Sequence, residues 1–445
     1  MIENDAFKLL LINLFHLNPD DITNIVCTTF NKMMVLLVTL ADKHQACPYC
    51  GFTAPKIKEY VTKEITHSAL TTQKCIIKYR ARRYKCPCCG KTYYEFNPFV
   101  FKSQKISILT VHNILKDLKD FNETFTSVAR RYHVSPTSVS TIFDNHVDIG
   151  RNPLPEIINF DEVYAFKSEK SKYVCVLLDF KKQIPVDVLP NRKKEYLLNY
   201  FQKIPLEERK KVKYACSDMY EVYRDVVHKV FPEAKHLLDY FHLSQDFHKK
   251  MNEVRIKVMK GYKDNKASDE YYLLKKFNWL LFKNPEDEDK YGRLFDVERE
   301  RKYNSHFKSY MNYYDLRKKL LEINNDLTIC YSLKLELVDF YSKSTIDNAK
   351  VNLENLIRSC IDTNIEEMIK FSNNLINWKQ EIINSFTIVD TEYKVEADKG
   401  QVVVCNKKVN NAIIENRNKI IKCIKNNANG YTNWSRFRNR VMYVL

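Results

Sequence analysis

Between residues 155 and 244, short runs rich in β-branched and aromatic residues alternate with amphipathic stretches. The runs are Ile157–Phe166, Tyr173–Phe180, Ile184–Leu189, Val212–Cys216 and His236–Tyr240, with helical spacing of apolar positions in Glu195–Gln202 and Met219–Val230. Three strands, a helix, a strand, a helix and a strand predict a mixed α/β sheet. From 245 to 400 the chain is charged and helix-periodic, with almost no strand signal until Gln401–Cys405. A last helical stretch from about Val409 to Asn427 is closed by Asn429-Gly430, a C-terminal cap. Upstream, 1–100 holds paired cysteines and 101–150 is helical. With no internal repeat or low-complexity tract, changes of period set five segments: 1–100, 101–150, 151–244, 245–400 and 401–445.

Within 101–150 the pattern becomes specific. Phe125, Val128, Ala129 and Tyr132 fall at i, i+3, i+4 and i+7, the stripe of an amphipathic helix. A tight turn follows at His133-Val134, then Ser135 caps a second helix with Pro136 in its first position. Val139, Ile142 and Phe143 form its buried face, which leaves Thr137, Ser138, Thr141 and Asn145 outward, able to reach base edges or phosphates. This predicts a helix-turn-helix; a plain helical hairpin packed inside a larger domain is the alternative.

Composition adds a partner class. The 72 Lys+Arg against 55 Asp+Glu give a formal charge of +17, which favours a polyanion such as DNA. Acidic membranes would attract it too, but no apolar run reaches the ~18 residues of a membrane span and the opening MIENDAFKLLLINLF lacks a signal peptide's basic start. The expectation is a cytoplasmic protein. In that compartment 13 cysteines argue for metal rather than disulfides.

Cys47-Pro-Tyr-Cys50-Gly51 and Cys86-Pro-Cys-Cys89-Gly90 are CxxC-Gly knuckles separated by 35 residues. Four thiolates so spaced close a tetrahedral, structural zinc site. Two of only seven glycines directly follow a knuckle, where the backbone often needs a positive φ. Cys88 is a rival in register for Cys86 or Cys89, and ordinary buried cysteines are the plain alternative. Beside the second knuckle, Lys78, Arg80, Arg82, Arg83 and Lys85 suggest phosphate contact, unless the strand is merely solvated.

Asp161 sits in the apolar run Ile157-Ile-Asn-Phe-Asp-Glu-Val-Tyr, where a charge must be paired or coordinate a metal. Asp218 ends another predicted strand, so both can meet at neighbouring strand ends and offer oxygen ligands to a hard divalent cation. A third acid is sought on the last helix. There Glu415 shares a polar ridge with Asn418, Lys419, Lys422 and Asn426, opposite Ile413, Ile420, Ile421 and Ile424, while Arg417 falls unexplained on the apolar side. Lys419 and Lys422 are candidate DNA contacts; a surface helix with a Glu–Lys pair is the bland reading. Asp239 and His242 close the last strand as a further metal or catalytic contact, with Glu162, Asp179 and Asp187 as rival ligands.

At these residues the sequence resembles the DDE transposases of bacterial insertion sequences in the ISL3 group. The resemblance runs through both knuckles with Arg82-Arg83-Tyr84-Lys85-Cys86, the helix-turn-helix, Asp161-Glu162, Ser217-Asp218-Met219, Asp239-x-x-His242, Phe277–Pro285 and Glu415–Leu445. It implies a ribonuclease-H-like core with a large helical insertion at 245–400, completed by 401–445 and preceded by zinc and helix-turn-helix domains. It further implies catalytic Asp161, Asp218 and Glu415 holding two Mg²⁺ ions, with Mn²⁺ as substitute, supported by Asp239 and His242. The partners implied are the element's terminal inverted repeats, target DNA and further copies of the chain, on nucleoid DNA. Members often carry Ser-Asn-Gly before the last acid and Gly after it; here Val409-Asn410-Asn411 precede and Asn416 follows, and 390–408 is longer than usual. The rival readings are a domesticated, non-catalytic DNA binder and a ribonuclease-H-like nuclease without joining activity.

Overall fold

The computed structural model describes residues 2–43, 46–102, 104–166, 171–394 and 402–445. They form two units: Met1–Gly150 with Lys419–Leu445, and Arg151–Asn418.

In the first unit, α1 (Ile2–Leu14) precedes a five-stranded sheet of β1 (Ile22–Phe30), β2 (Met33–Leu40), β3 (Lys56–Thr66), β4 (Cys75–Lys85) and β5 (Thr92–Tyr94). The order is β1-β2-β4-β3 with β5 against β4. Asn31 and Lys32 both take positive φ, as a two-residue hairpin between right-twisted strands requires. Leu11, Ile12 and Phe15 bury against Ile22, Ile25, Leu36 and Ile77. Three helices follow: α2 (Ile108–Asp117), α3 (Phe125–Arg131) and α4 (Pro136–His146). The buried His67 ties sheet to helices, its ring pairing with Ser107 Oγ at 2.9 Å and the Phe15 carbonyl at 2.8 Å.

The second unit is built on β6 (Ile157–Val163), β7 (Val174–Asp179), β8 (Pro185–Leu189), β9 (Tyr214–Ser217) and β10 (Lys235–Leu238), in the order β10-β9-β6-β7-β8. The first three form an antiparallel meander; β9 runs parallel to β6, and β10 parallel to β9. Between them lie α5 (Lys194–Gln202), α6 (Leu206–Arg209) and α7 (Glu221–Val230). Leu197 and Phe201 from α5, and Tyr223, Val226, Val227 and Val230 from α7, cover one sheet face around Phe160. These helical spacings put each apolar stripe on one side.

The sequence's alternation thus becomes this sheet, with strand ends shifted by a few residues. The segment from 240 onward departs further. It comprises α8 (Tyr240–Lys260), α9 (Asp269–Lys276), the hairpins β11 (Glu288–Asp289) with β12 (Gly292–Arg293) and β13 (Lys302–Asn304) with β14 (Ser309–Met311), then α10 (Tyr313–Glu322), α11 (Asn325–Lys343), α12 (Ala349–Asp362), α13 (Glu366–Asn377) and α14 (Lys379–Asn384). Their core runs from Leu243 and Phe247 through Leu333 and Leu356 to Phe371 and Phe386. The expectation of almost no strand before Gln401 is corrected by β15 (Ile388–Lys394), which pairs antiparallel with β16 (Val402–Lys408). A strand is stabilised by its ladder partner, and a period count within one segment does not see that partner. Gln401 itself lies outside the described residues. Last come α15 (Ala412–Asn427) and α16 (Trp434–Val444); α15 ends where Asn429 and Gly430 turn to positive φ and the Gly430 amide donates to the Lys425 carbonyl.

Candidate functional site

Because β6, β9 and β10 are parallel, their C-terminal ends reach the same edge of the sheet. Continuing the β6–β9 register by two residues and the β10–β9 register by one sets Asp161, Asp218 and Asp239 in one row across the three strands. Asp239 also precedes the first residue of α8, whose first turn carries His242, and Glu415 lies in the first turn of α15. Ligand atoms of Asp239, His242 and Glu415 all lie within 4.8 Å of one another. Among the described residues Asp161, Asp218 and Glu415 do not form a group that tight. Asp161 and Asp218 join the site electrostatically. Burial, then the Asp218 and Glu415 charges, push the Asp161 carboxyl up to about 7, opposed by His242 and Asn418. Burial raises Asp218, opposed by His242 and Arg192, and raises Asp239, opposed by the Asn411 amide and His242.

Asp218 Oδ1, Asp239 Oδ2 and His242 Nε2 are buried with no hydrogen-bond partner among the described residues. Buried polar atoms are rarely left so, and carboxylates brought together under desolvation fit a divalent cation as their missing partner. The rival acids are otherwise engaged. Glu162 pairs with Arg192 and accepts from Tyr223 Oη at 3.2 Å. Asp179 accepts from the amides of Lys181 (2.9 Å) and Lys182 (3.0 Å), and Asp187 from Tyr200 Oη at 2.6 Å.

The four thiols gather in the first unit. Cys47, Cys50, Cys86 and Cys89 bring their sulfurs within 4.8 Å of one another, whereas Cys88 is exposed and outside the cluster. The knuckles repeat one geometry: the Gly51 amide donates to the Cys47 carbonyl and the Gly90 amide to the Cys86 carbonyl, both at 2.9 Å, with φ of 75° and 72°. Within the cluster the thiols share their protons unevenly: backbone amides of Cys89 and Cys88 lower the Cys86 thiol, while burial and the neighbouring thiols raise Cys50 and Cys89. The set fits a tetrahedral metal with no open position.

The basic residues beside it divide. Arg80 and Lys85 are exposed. Arg83 bonds Glu59 at 2.6 Å, and Arg82 turns inward to Glu95 at 2.8 Å and the Leu40 carbonyl at 3.2 Å. In the helical part, His133 takes the turn's positive φ and Ser135 Oγ accepts from the Ser138 amide at 3.0 Å, with Pro136 in the first turn. Val139, Ile142 and Phe143 are buried. Thr137, Thr141 and Asn145 are exposed; Ser138 is half-buried, its hydroxyl 2.8 Å from that of Ser135. All four line a groove of about 540 Å³ with Gln104 and Lys105. Lys419 and Lys422 are exposed on α15.

Residues 158–397 match the profile of the ISL3-type DDE transposases, described as Transposase. That match spans Asp161, Asp218, Asp239 and His242 and covers more than half of the chain. The chain belongs to the ISL3 family of DDE transposases. It is also similar to the transposase for insertion sequence element IS1001 of Bordetella parapertussis, 19% identical over 391 residues, 87% of this chain and 86% of that protein. Among the described residues of this family member, no helix is long and apolar enough to cross a membrane.

Asparagines that sequence reading did not assign to the site frame this transposase's acids. Asn418 Nδ2 donates to Asp161 Oδ2 at 2.8 Å. Asn411 accepts from Asn159 Nδ2 at 2.7 Å and donates from its side chain to the Phe160 carbonyl at 3.3 Å, while its amide donates to Asp239 Oδ1 at 3.3 Å. The available signal was Asn159, a polar residue inside the same apolar strand as Asp161. Arg417 also finds its reason: its Nε donates to the Gln183 carbonyl at 3.2 Å, at the border of the apolar cluster holding Ile413.

Proposed function

We propose that this transposase binds the terminal inverted repeats of an insertion sequence and catalyses DNA strand cleavage and strand transfer at a ribonuclease-H-like core, acting in the cytoplasm as a homo-oligomer on DNA. The observation that carries the reading is the row of Asp161, Asp218 and Asp239 at one sheet edge, with orphaned oxygens on Asp218 and Asp239 and Glu415 arriving beside Asp239 and His242. The meander followed by two parallel strands supports the ribonuclease-H-like assignment. Asp161, Asp218 and Glu415 would hold two Mg²⁺ ions, or Mn²⁺, with Asp239 and His242 adjoining. Such ions, when bound, activate a water or 3′-hydroxyl and stabilise the leaving oxygen of an in-line displacement. Asn418 fixes the carboxylate of Asp161, and the Asn411 amide that of Asp239. The four thiols would hold a structural Zn²⁺. Arg80, Lys85, Thr137, Thr141, Asn145, Lys419 and Lys422 are the exposed candidates for DNA contact; Arg82 serves the sheet.

Cleavage of a duplex carrying the element's end, in Mg²⁺, tests the reading. Asp161→Asn, Asp218→Asn and Glu415→Gln should each abolish cleavage while DNA affinity and thermal stability stay close to wild type. If Glu415→Gln cleaves normally and a neutral Glu392 or Glu396 variant does not, the third ligand lies before α15. Wild-type protein that binds ends but never cleaves would leave only the DNA-binding reading.

A further inference from the structure

The two hairpins of the helical segment carry an aromatic surface that the catalytic reading does not use. Tyr291, in the turn between β11 and β12, and Tyr310, on β14, are each 68% exposed; Tyr303, on β13, is 58% exposed. Tyr303 and Tyr310 are register partners, their rings edge-on with centroids 5.4 Å apart. Large exposed aromatics cost solubility, and three on adjoining hairpins call for a ligand. The cavity beside them, about 280 Å³, is lined by five aromatic rings, those of Tyr272, Phe277, Tyr291, Tyr303 and Tyr313, and by the cations Lys276, Arg299 and Lys302. Two acids also line it, Glu300 and Asp289, the latter paired with Arg299 at 2.6 Å. Lys290 and Lys302 stand 4.7 and 5.9 Å from the Tyr291 ring centroid, and Lys276 stands 5.1 Å from that of Tyr272.

Exposed rings with lysines in their neighbourhood are the chemistry of single-strand recognition: the ring stacks on a base and the ammonium meets the adjoining phosphate. A duplex, whose bases are already stacked, offers these rings no partner. We propose that Tyr291, Tyr303 and Tyr310, with Lys276 and Lys302, form a stacking site for unpaired nucleotides of a DNA strand, separate from the carboxylate row. This goes beyond the proposed cleavage activity and rests on it only in taking DNA as the polyanion.

The test uses the full chain with Mg²⁺ withheld, so that no cleavage intervenes. A fluorescent 20-nucleotide single strand and a blunt duplex of the same sequence are titrated by anisotropy, and a 2-aminopurine strand reports stacking. Combined Tyr291→Ala, Tyr303→Ala and Tyr310→Ala should weaken single-strand binding by at least about fivefold and remove the 2-aminopurine quench, with duplex binding unchanged. Phenylalanine at the same three positions should restore both signals, because stacking needs the ring and not the hydroxyl. The inference is overturned if the alanine variant binds single strands like wild type, or if the phenylalanine variant, with wild-type melting, loses as much as alanine. It is equally overturned if the alanine variant instead dissociates an oligomer in sedimentation, which would make the patch a contact between copies. Loss of wild-type duplex-end binding or of Mg²⁺-dependent cleavage would instead count against the proposed function and leave the single-strand result standing.

Discussion

At the scale of single residues, the site pairs acids that sequence could name with amides it could not place. Asp161 was legible because a carboxylate inside an apolar strand demands a partner. Its partner, Asn418, was visible only as one position on a polar ridge; that it reaches Asp161 depends on the fold bringing α15 beside β6. Asn418→Ala should therefore slow single-turnover cleavage by roughly 10–100-fold, as removal of an outer partner of a metal ligand does, with DNA affinity unchanged. A wild-type rate in that variant would mean that the strand alone positions Asp161. A second residue acts behind Asp218. His236 is buried, its Nε2 is 2.8 Å from Ser217 Oγ, and burial drives its pKa down to about 3. Unfolded, the imidazole titrates near 6.5, so between about 6.5 and 3 the unfolded chain binds the extra proton and stability falls as pH falls. His236→Asn loses the packing of the ring beside Trp378 but also this acid penalty. Its deficit in unfolding free energy relative to wild type should shrink by about 2 kcal/mol between pH 7.5 and 5.0. An unchanged deficit across that range would show that folding leaves the titration of His236 where the unfolded chain has it.

At the scale of elements, what was legible was local. The cap, proline and apolar spacing of α3 and α4 all act within a few residues of one another, so the two helices and the turn between them could be read directly. The domain's fourth helix could not, because α16 comes from the far end of the chain. Tyr443 packs in the core of α2 to α4, Arg436 clamps Asp144 at 2.6 and 3.0 Å, and Asn439 donates to the Val147 carbonyl at 2.9 Å. Most telling is Arg440, 1% exposed, whose guanidinium donates to the carbonyls of Asp120 at 2.8 Å and Glu123 at 2.9 Å. By resemblance alone this segment falls within 401–445, the part that completes the core. The expectation is that residues 1–150 alone, lacking α16, bind end DNA poorly and that adding a peptide of residues 428–445 restores binding. Arg440→Ala in the full chain removes the donor that the Asp120 and Glu123 carbonyls share and should cost about 1–3 kcal/mol in chemical denaturation. Equal end affinity of 1–150 with and without the peptide would show that the three helices suffice.

At the scale of the whole molecule, the order of strands and helices in 155–244 was legible because each element carries its own period. The sheet of residues 1–100 was not, since its pairings join β2 to β4 across an intervening strand and the first knuckle. The two candidate metal sites among the described residues fall in different units, the thiols in 1–150 and the carboxylates in 151–418. That division makes metal removal selective. A structural zinc contributes folding free energy directly, so stripping it should unfold the part that its knuckles close, whereas Mg²⁺ stabilises by RT ln(1 + [Mg²⁺]/Kd), about 2.7 kcal/mol at a hundredfold excess over Kd. Calorimetry of the full chain should therefore show a strong zinc chelator lowering one transition and abolishing end binding, while millimolar Mg²⁺ raises the other. Asp218→Asn should erase the Mg²⁺ effect and leave the zinc effect intact, and Cys47→Ser with Cys86→Ser should do the reverse. Both ions moving the same transition, or Asp218→Asn retaining the Mg²⁺ shift, would place the magnesium away from the carboxylate row.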